Sequence, residues 1–294
     1  MDFNKLTKNQ SGIIFLIVYI FTMIIGLLII TFGKSYDFNP IVTMLIADIA
    51  MTLIIFLIGS ALKNASLYDP FWSVIPLFIA VVWMAIYFPS FTIKNVLLIF
   101  VLTIWAVRLT FNWWKNWNGF QTQDWRYDLL KEKNQKIYPL TNLVGIHLIP
   151  TFVVFIQMIN VYMIMESAQM NILYIFGFLV SLVAPIIQYV ADKQMYNFRT
   201  KRKDDIKTIN VGIWRFSRHP NYFGEILFWF GIYIIYFSNN MKIDINIIYP
   251  LLMLLLFLFV SIPMMEKKLI NRPGYKEYKS EVSVLIPFPK KPQN

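Results

Sequence analysis

Gly212-Ile213-Trp214-Arg215-Phe216-Ser217-Arg218-His219-Pro220-Asn221-Tyr222-Phe223-Gly224-Glu225 lies where a long basic loop meets an apolar segment. Pro220 suits the first helical position, because the N–H it lacks would have no helical partner there. A helix is therefore expected to start at Pro220 and enter a membrane. Asn221 and Glu225 are four apart and share one face of it. Arg215, Arg218 and His219 come just before the helix start, where free N–H groups and the helix dipole favour an anion. A cation, a helix end, an amide and a carboxylate within a dozen residues suit an anionic cofactor. A basic flank followed by an ordinary spanning helix is the plainer reading of the same run.

The rest of the chain sets that helix in a bilayer. The 294 residues are 57% hydrophobic and 15% charged, which excludes a soluble globule. Continuous apolar runs at about 12–33, 41–62, 71–88, 94–113, 143–165, 172–191, 221–238 and 246–264 each reach across roughly 30 Å of hydrocarbon as helices. They do not alternate as barrel strands would. The fold expected is an all-α polytopic membrane protein of about eight transmembrane helices, seven being the other count, in one integral membrane domain over 1–294. Within it, 1–62 forms the N-terminal helices and 265–294 a C-terminal tail. The first run is too long for a signal peptide and lacks a small-residue cleavage site, so it reads as a retained span.

Net charge is +11, yet the basic residues follow loop sidedness rather than one groove-binding face, so nucleic acid is not the expected partner. Loops 114–142 and 192–220 and the tail from 265 hold most of the 27 Lys and Arg residues. An eight-helix path puts these segments and both termini on one side, and leaves Lys34, Lys94 and Lys242 on the other. The positive-inside rule places the basic side in the cytoplasm. Asp69, Trp105, Arg108, His147, Gln188 and Asp192 then fall near that face. With no cysteine there is no thiolate ligand, and two histidines without a paired spacing predict no metal site. No glycine-rich dinucleotide or Walker loop is present, so a cofactor must be held by helix ends and loops.

The 212–225 run resembles the signature of the steroid 5-alpha-reductase-like membrane family, including its uncharacterised bacterial branch. The similarity extends to Asn64-Ala65-Ser66-Leu67-Tyr68-Asp69-Pro70-Phe71-Trp72, to Asp124-Trp125-Arg126-Tyr127, and to the tail with Tyr275, Tyr278 and Ile286-Pro287, so that 63–294 is the reductase-like region. The Arg-His-Pro-x-Tyr core is shared with isoprenylcysteine carboxyl methyltransferases. The resemblance implies NADPH as cofactor, with Gln188 (the family has Asn), Asp192, Arg199, Lys207 (the family has Arg), Asn221 and Glu225 holding it. Arg108 resembles a family arginine near the cofactor, and Arg218 and His219 belong to the same run. Lysine at 207 lacks the bidentate phosphate fork of arginine. Glu266-Lys267-Lys268 stands where many reductases have adenosine-end contacts.

From spacing alone, Gln188, Asp192 and Arg199 share one helix face if the helix runs on past 191. Asp69 caps the third span or, kept protonated, donates a proton to a carbonyl oxygen. The resemblance places Trp105 at the family's acid tyrosine, where an indole has no hydroxyl proton to give, so Tyr68 is the alternative donor beside Asp69. Asp48 lies inside the second span and reads as a buried, hydrogen-bonded carboxyl. His147, Gln157 and Asn160 give the fifth span a polar seam. Asp124 to Tyr127 lie over a cofactor or form an interfacial turn.

The function expected is a membrane-embedded NAD(P)H-dependent oxidoreductase that reduces a carbon–carbon double bond of a lipophilic enone drawn from the bilayer. The alternatives are an S-adenosylmethionine-dependent membrane methyltransferase, to which the tail residues are also similar, and a non-enzymatic membrane binding protein.

Overall fold

Helix α1 (Lys8–Ser35) opens on a capping box: Thr7 Oγ1 accepts the Gln10 N–H, and Gln10 Oε1 accepts the Thr7 N–H. The structure is a computed structural model that describes residues 5–167, 169–200 and 208–290. Among these residues every regular element is helical. Asn39 caps α2 (Pro40–Ala61), with Pro40 at its first turn. A 3-10 turn (Ala65–Tyr68) leads into α3 (Phe71–Ile86), and Thr92 caps α4 (Ile93–Asn116). The short α5 (Trp125–Lys133) is capped by Asp124. Then follow α6 (Tyr138–Ser167), α7 (Ile172–Thr200), α8 (Pro220–Asn240), α9 (Ile245–Leu269) and α10 (Tyr275–Glu281). Both α6 and α9 carry a π-helical stretch, Asn142–Leu148 and Phe257–Ser261.

All eight expected spanning helices are present, and seven are long and apolar enough to cross a bilayer. The chain is an integral membrane protein. The eighth is α8, the helix opened by Pro220. Its 21 residues are long enough, but Asn221, Glu225, Ser238, Asn239 and Asn240 lower its hydropathy. It offsets this by burying more than half of its residues in the protein. Helix α7 runs to Thr200, so Gln188, Asp192 and Arg199 do share one continuous helix.

The chain forms two compact units, Met1–Ala168 and Gln169–Asn294. In the first, α1 packs on α2, and α3 lies against α4 and α6 around the fully buried Trp83 and Trp105. In the second, α7 and α8 form the dominant pair. Lipid is as apolar as leucine, so such pairs gain from close backbone approach rather than from hydrophobic transfer. Glycine permits that approach: a Cβ on Gly231 would lie 2.2 Å from Ser181 Oγ and 2.7 Å from Ser181 N, and one on Gly177 would lie 2.9 Å from the Gly231 carbonyl.

Candidate functional site

The first unit holds a polar seam in its apolar interior. Tyr68, 3% exposed, places its hydroxyl 2.8 Å from Thr151 Oγ1, which is 3.0 Å from Thr52 Oγ1. Asp48 lies one turn before Thr52 on α2, also 3% exposed. The π-helical stretch of α6 brings His147 against Tyr68, ring centres 4.7 Å apart. His147 Nδ1 lies 2.9 Å from the Asn142 carbonyl, which can only accept, so Nδ1 carries the proton and Nε2 is a bare acceptor. Neither His147 Nε2 nor Asp48 Oδ1 has a hydrogen-bond partner among the described residues. The sequence reading of Asp48 as a hydrogen-bonded carboxyl is therefore corrected: among the described residues no donor reaches Oδ1. Asp48, Tyr68 and Thr151 line a narrow recess walled by Phe71, Trp72, Ile79, Phe155 and Met158, among others.

Two sequence motifs some 60 residues apart hold Tyr68 in place. Asn64 Oδ1 caps the 3-10 turn by accepting from Ser66 N, and its amide donates to the carbonyls of Phe120 and Thr122, both at 3.1 Å. Ser66 Oγ accepts the Asp124 N–H at 2.8 Å. Asp124 also holds Arg126 bidentately, Nε–Oδ1 2.8 Å and Nη2–Oδ2 2.9 Å. Tyr127 donates its hydroxyl to Asp69 Oδ1. Burial, then the Asp69 charge, pushes the Tyr127 phenol well above the ordinary tyrosine range, so it remains a donor. Asp69 thus neither caps α3, whose N-cap Pro70 makes no side-chain bond, nor lines the recess. The 124–127 motif clamps the 64–69 turn.

In the second unit the carboxylate of Glu225, 2% exposed, accepts from Gln188 Nε2 at 2.7 Å and from Trp229 Nε1 at 3.1 Å. Gln188 spans from α7 to α8 and also reaches the Asn221 carbonyl at 3.4 Å. Its Oε1 is buried without a partner among the described residues. Asn221 is half-buried, Asp192 half-buried one turn beyond Gln188, and Arg199 exposed near the end of α7.

Arg218 and His219 take another part. Arg218 Nε donates to Glu266 Oε1 at 2.7 Å, and Nη1 donates to the carbonyls of Lys279 and Val282. Lys279 Nζ lies 2.8 Å from Glu266 Oε2, and His219 Nε2 lies 3.6 Å from Oε1. The Arg218 N–H donates to Ser283 O, Ser217 Oγ to Leu285 O, and Phe288 N–H to Phe216 O. Tyr278 donates to the Trp214 carbonyl. The signature loop and the C-terminal segment are thereby laced together. Burial, partly offset by Glu266, holds the His219 imidazole below its ordinary pKa.

Of the residues expected at a site, the structure joins Gln188, Asn221 and Glu225 in the second unit, and ties Arg218 and His219 into the loop–tail clasp. Tyr68 and Asp69 adjoin in the first unit, but only Tyr68 reaches the recess. Arg108 is half-buried on α4. Lys207 lies outside the described residues. Among the described residues no group of three or more His, Asp and Glu side chains is placed to hold a metal. Sequence reasoning passed over Thr52 and Thr151; their one readable signal is a hydroxyl one turn after Asp48 on an otherwise apolar helix, facing no charge in sequence.

Residues 55–282 match the family described as "Protein of unknown function (DUF1295)". An uncharacterised protein of Schizosaccharomyces pombe is 22% identical over 233 residues, covering 68% of this chain. The chain spans 65% of that relative's length. No solved structure matches the chain.

Proposed function

The chain belongs to the DUF1295 family, and on that premise we propose that it is a membrane-embedded, NADPH-dependent reductase of the steroid 5-alpha-reductase-like type. Its substrate is a lipid-soluble enone from the bilayer, reduced at the carbon–carbon double bond. The observation that carries the reading is the Gln188–Glu225 pair. A carboxylate and an amide are buried between two membrane helices, with one amide acceptor, Gln188 Oε1, left without a donor among the described residues. A nicotinamide carboxamide offers an N–H that fits such an acceptor. Bound there, the reduced dinucleotide supplies hydride to the β-carbon, so that enone, NADPH and one proton give the saturated ketone and NADP+.

The chain's own residues bind and orient. Glu225 fixes the Gln188 amide so that Oε1 faces away from Nε2's bond. Asp192 and Arg199 extend the same face of α7 towards the ribose and phosphates, where the Arg199 fork suits a phosphate. Arg218 acts as a positioning residue, because its donors hold Glu266 and the C-terminal segment. Tyr68 presents a hydroxyl at the recess of the first unit. The basic loops and both termini face the cytoplasm in this reading, as the positive-inside rule requires.

The test is ligand-dependent protection against heat for the purified protein in detergent, with NADPH, NADH and S-adenosylmethionine. NADPH protects the wild type, and Glu225→Gln weakens that protection. No protection at millimolar NADPH or NADH removes the reductase reading. Transfer of a labelled methyl group to membrane lipid would replace it with methyl transfer.

A further inference from the structure

We infer that the end of the second unit away from the signature loop holds the primary ammonium group of a phospholipid headgroup, between Asp244 and the phenol of Tyr233. The inference lies outside the reductase reading and uses none of its residues. Helix α8 starts at the signature loop and ends at Asn240, and a short turn through Asp244 carries the chain into α9. Asp244 Oδ2 accepts from the Tyr236 hydroxyl, and Oδ1 accepts the Asn246 N–H. Both donors are neutral, and among the described residues no lysine or arginine pairs with this carboxylate. A carboxylate offers about four acceptor positions, so Asp244 keeps room for further N–H donors. It is half-buried, where water screens its charge only in part.

Tyrosines gather around that charge. Tyr233 and Tyr236 lie one turn apart on α8 with ring centres 6.1 Å apart, and Tyr249 comes from the start of α9. The Asp244 charge acts on all three phenols. Tyr233 is 6% exposed, and its hydroxyl has no partner among the described residues. A buried hydroxyl without a bond, beside a carboxylate without a cation, calls for a positive group that carries N–H donors. A primary ammonium supplies both, and its charge suits the faces of the tyrosine rings. A choline nitrogen has no N–H for the Tyr233 oxygen, and a divalent metal ion needs more oxygen ligands than one carboxylate gives. The surroundings make the ligand a lipid. Met241, Ile243 and Ile245 are exposed on the same turn, which sets Asp244 where hydrocarbon meets headgroups. Lys242 is exposed beside it and suits the headgroup phosphate.

The experiment uses the full chain, purified and delipidated in mild detergent. It is titrated with phosphatidylethanolamine, phosphatidylcholine and phosphatidylglycerol of the same acyl chains, and bound lipid is counted by native mass spectrometry. Phosphatidylethanolamine is expected to bind at about a tenth of the concentration that either other lipid needs, the scale of one charge-assisted hydrogen bond. Asp244→Asn removes the charge but keeps a side chain able to cap the turn, and should bring phosphatidylethanolamine to the level of the other two. Tyr233→Phe should weaken its binding several-fold and leave phosphatidylglycerol unchanged. Heat midpoints show whether each variant is folded; if Asp244→Asn is not, Tyr233→Phe decides. Equal binding of the three lipids, or phosphatidylethanolamine binding unmoved in the folded variants, would overturn the inference. So would displacement of the lipid by free ethanolamine at the same concentration, which would make the site one for a soluble amine.

Discussion

The two units treat buried polar groups in opposite ways. Around Glu266 in the second unit the charges are matched: Arg218 and Lys279 take up its oxygens, Arg218 also donates to the Val282 carbonyl, and the result is a clasp. Around Asp48 in the first unit the carboxyl is left open beside hydroxyls that are themselves bonded. A matched cluster of this kind stabilises; an unmatched group weakens the fold and persists where something else needs it. The contrast separates residues that hold the signature loop from residues that keep an open polar atom among the described residues, although both kinds look alike in sequence.

The sharpest way to break the contrast is Arg218→Ala. It leaves Glu266 short of its main partner and two carbonyl acceptors, Lys279 and Val282, without this donor, and should cost about 3 kcal/mol in a detergent-unfolding titration. Gly231→Ala forces a Cβ against the Ser181 backbone and should cost about 2 kcal/mol, read in the same titration as loss of the α7–α8 pair. Asp48→Leu should move the other way, raising stability by about 1 kcal/mol. A loss of stability there would mean that Asp48 is matched after all. Tyr127→Phe removes one bond to Asp69 and should cost about 1 kcal/mol, read in the same titration.

The smallest effect is with pH. His219 has a folded pKa below the unfolded value of about 6.5, so between the two the unfolded chain binds more protons. Stability should therefore fall as pH drops below about 6.5 and level off once pH is under the folded value, with no change above. His219→Asn should flatten that part of a stability–pH curve.

The helices were largely legible because continuous apolar runs leave the chain little else to form. Boundaries failed where polar residues sat inside a helix: α7 runs on through Asp192 to Arg199, and α8 is less apolar than a membrane span because it carries Asn221 and Glu225. The sequence puts Gln188 and Glu225 in one set of candidate cofactor residues but not in contact, because their bond depends on the α7–α8 crossing, which Gly177 and Gly231 permit. Arg218 was read as an anion binder from the helix start beside it. Its carboxylate partner lies 48 residues on, beyond any local signal. The same limit hid the clamp between 64–69 and 124–127, which is made of turn and cap bonds with no periodicity. The π-helical turn that aims His147 at Tyr68 also has no sequence pattern to announce it.

The most direct measurement is the heat midpoint of the purified protein with and without NADPH, taken on the wild type and on Glu225→Gln. Saturating NADPH should raise the wild-type midpoint by about 5 °C and the variant's by much less, since ligand binding to the folded state alone adds stability in proportion to the logarithm of occupancy. Equal midpoints with and without NADPH or NADH at millimolar concentration would contradict the account.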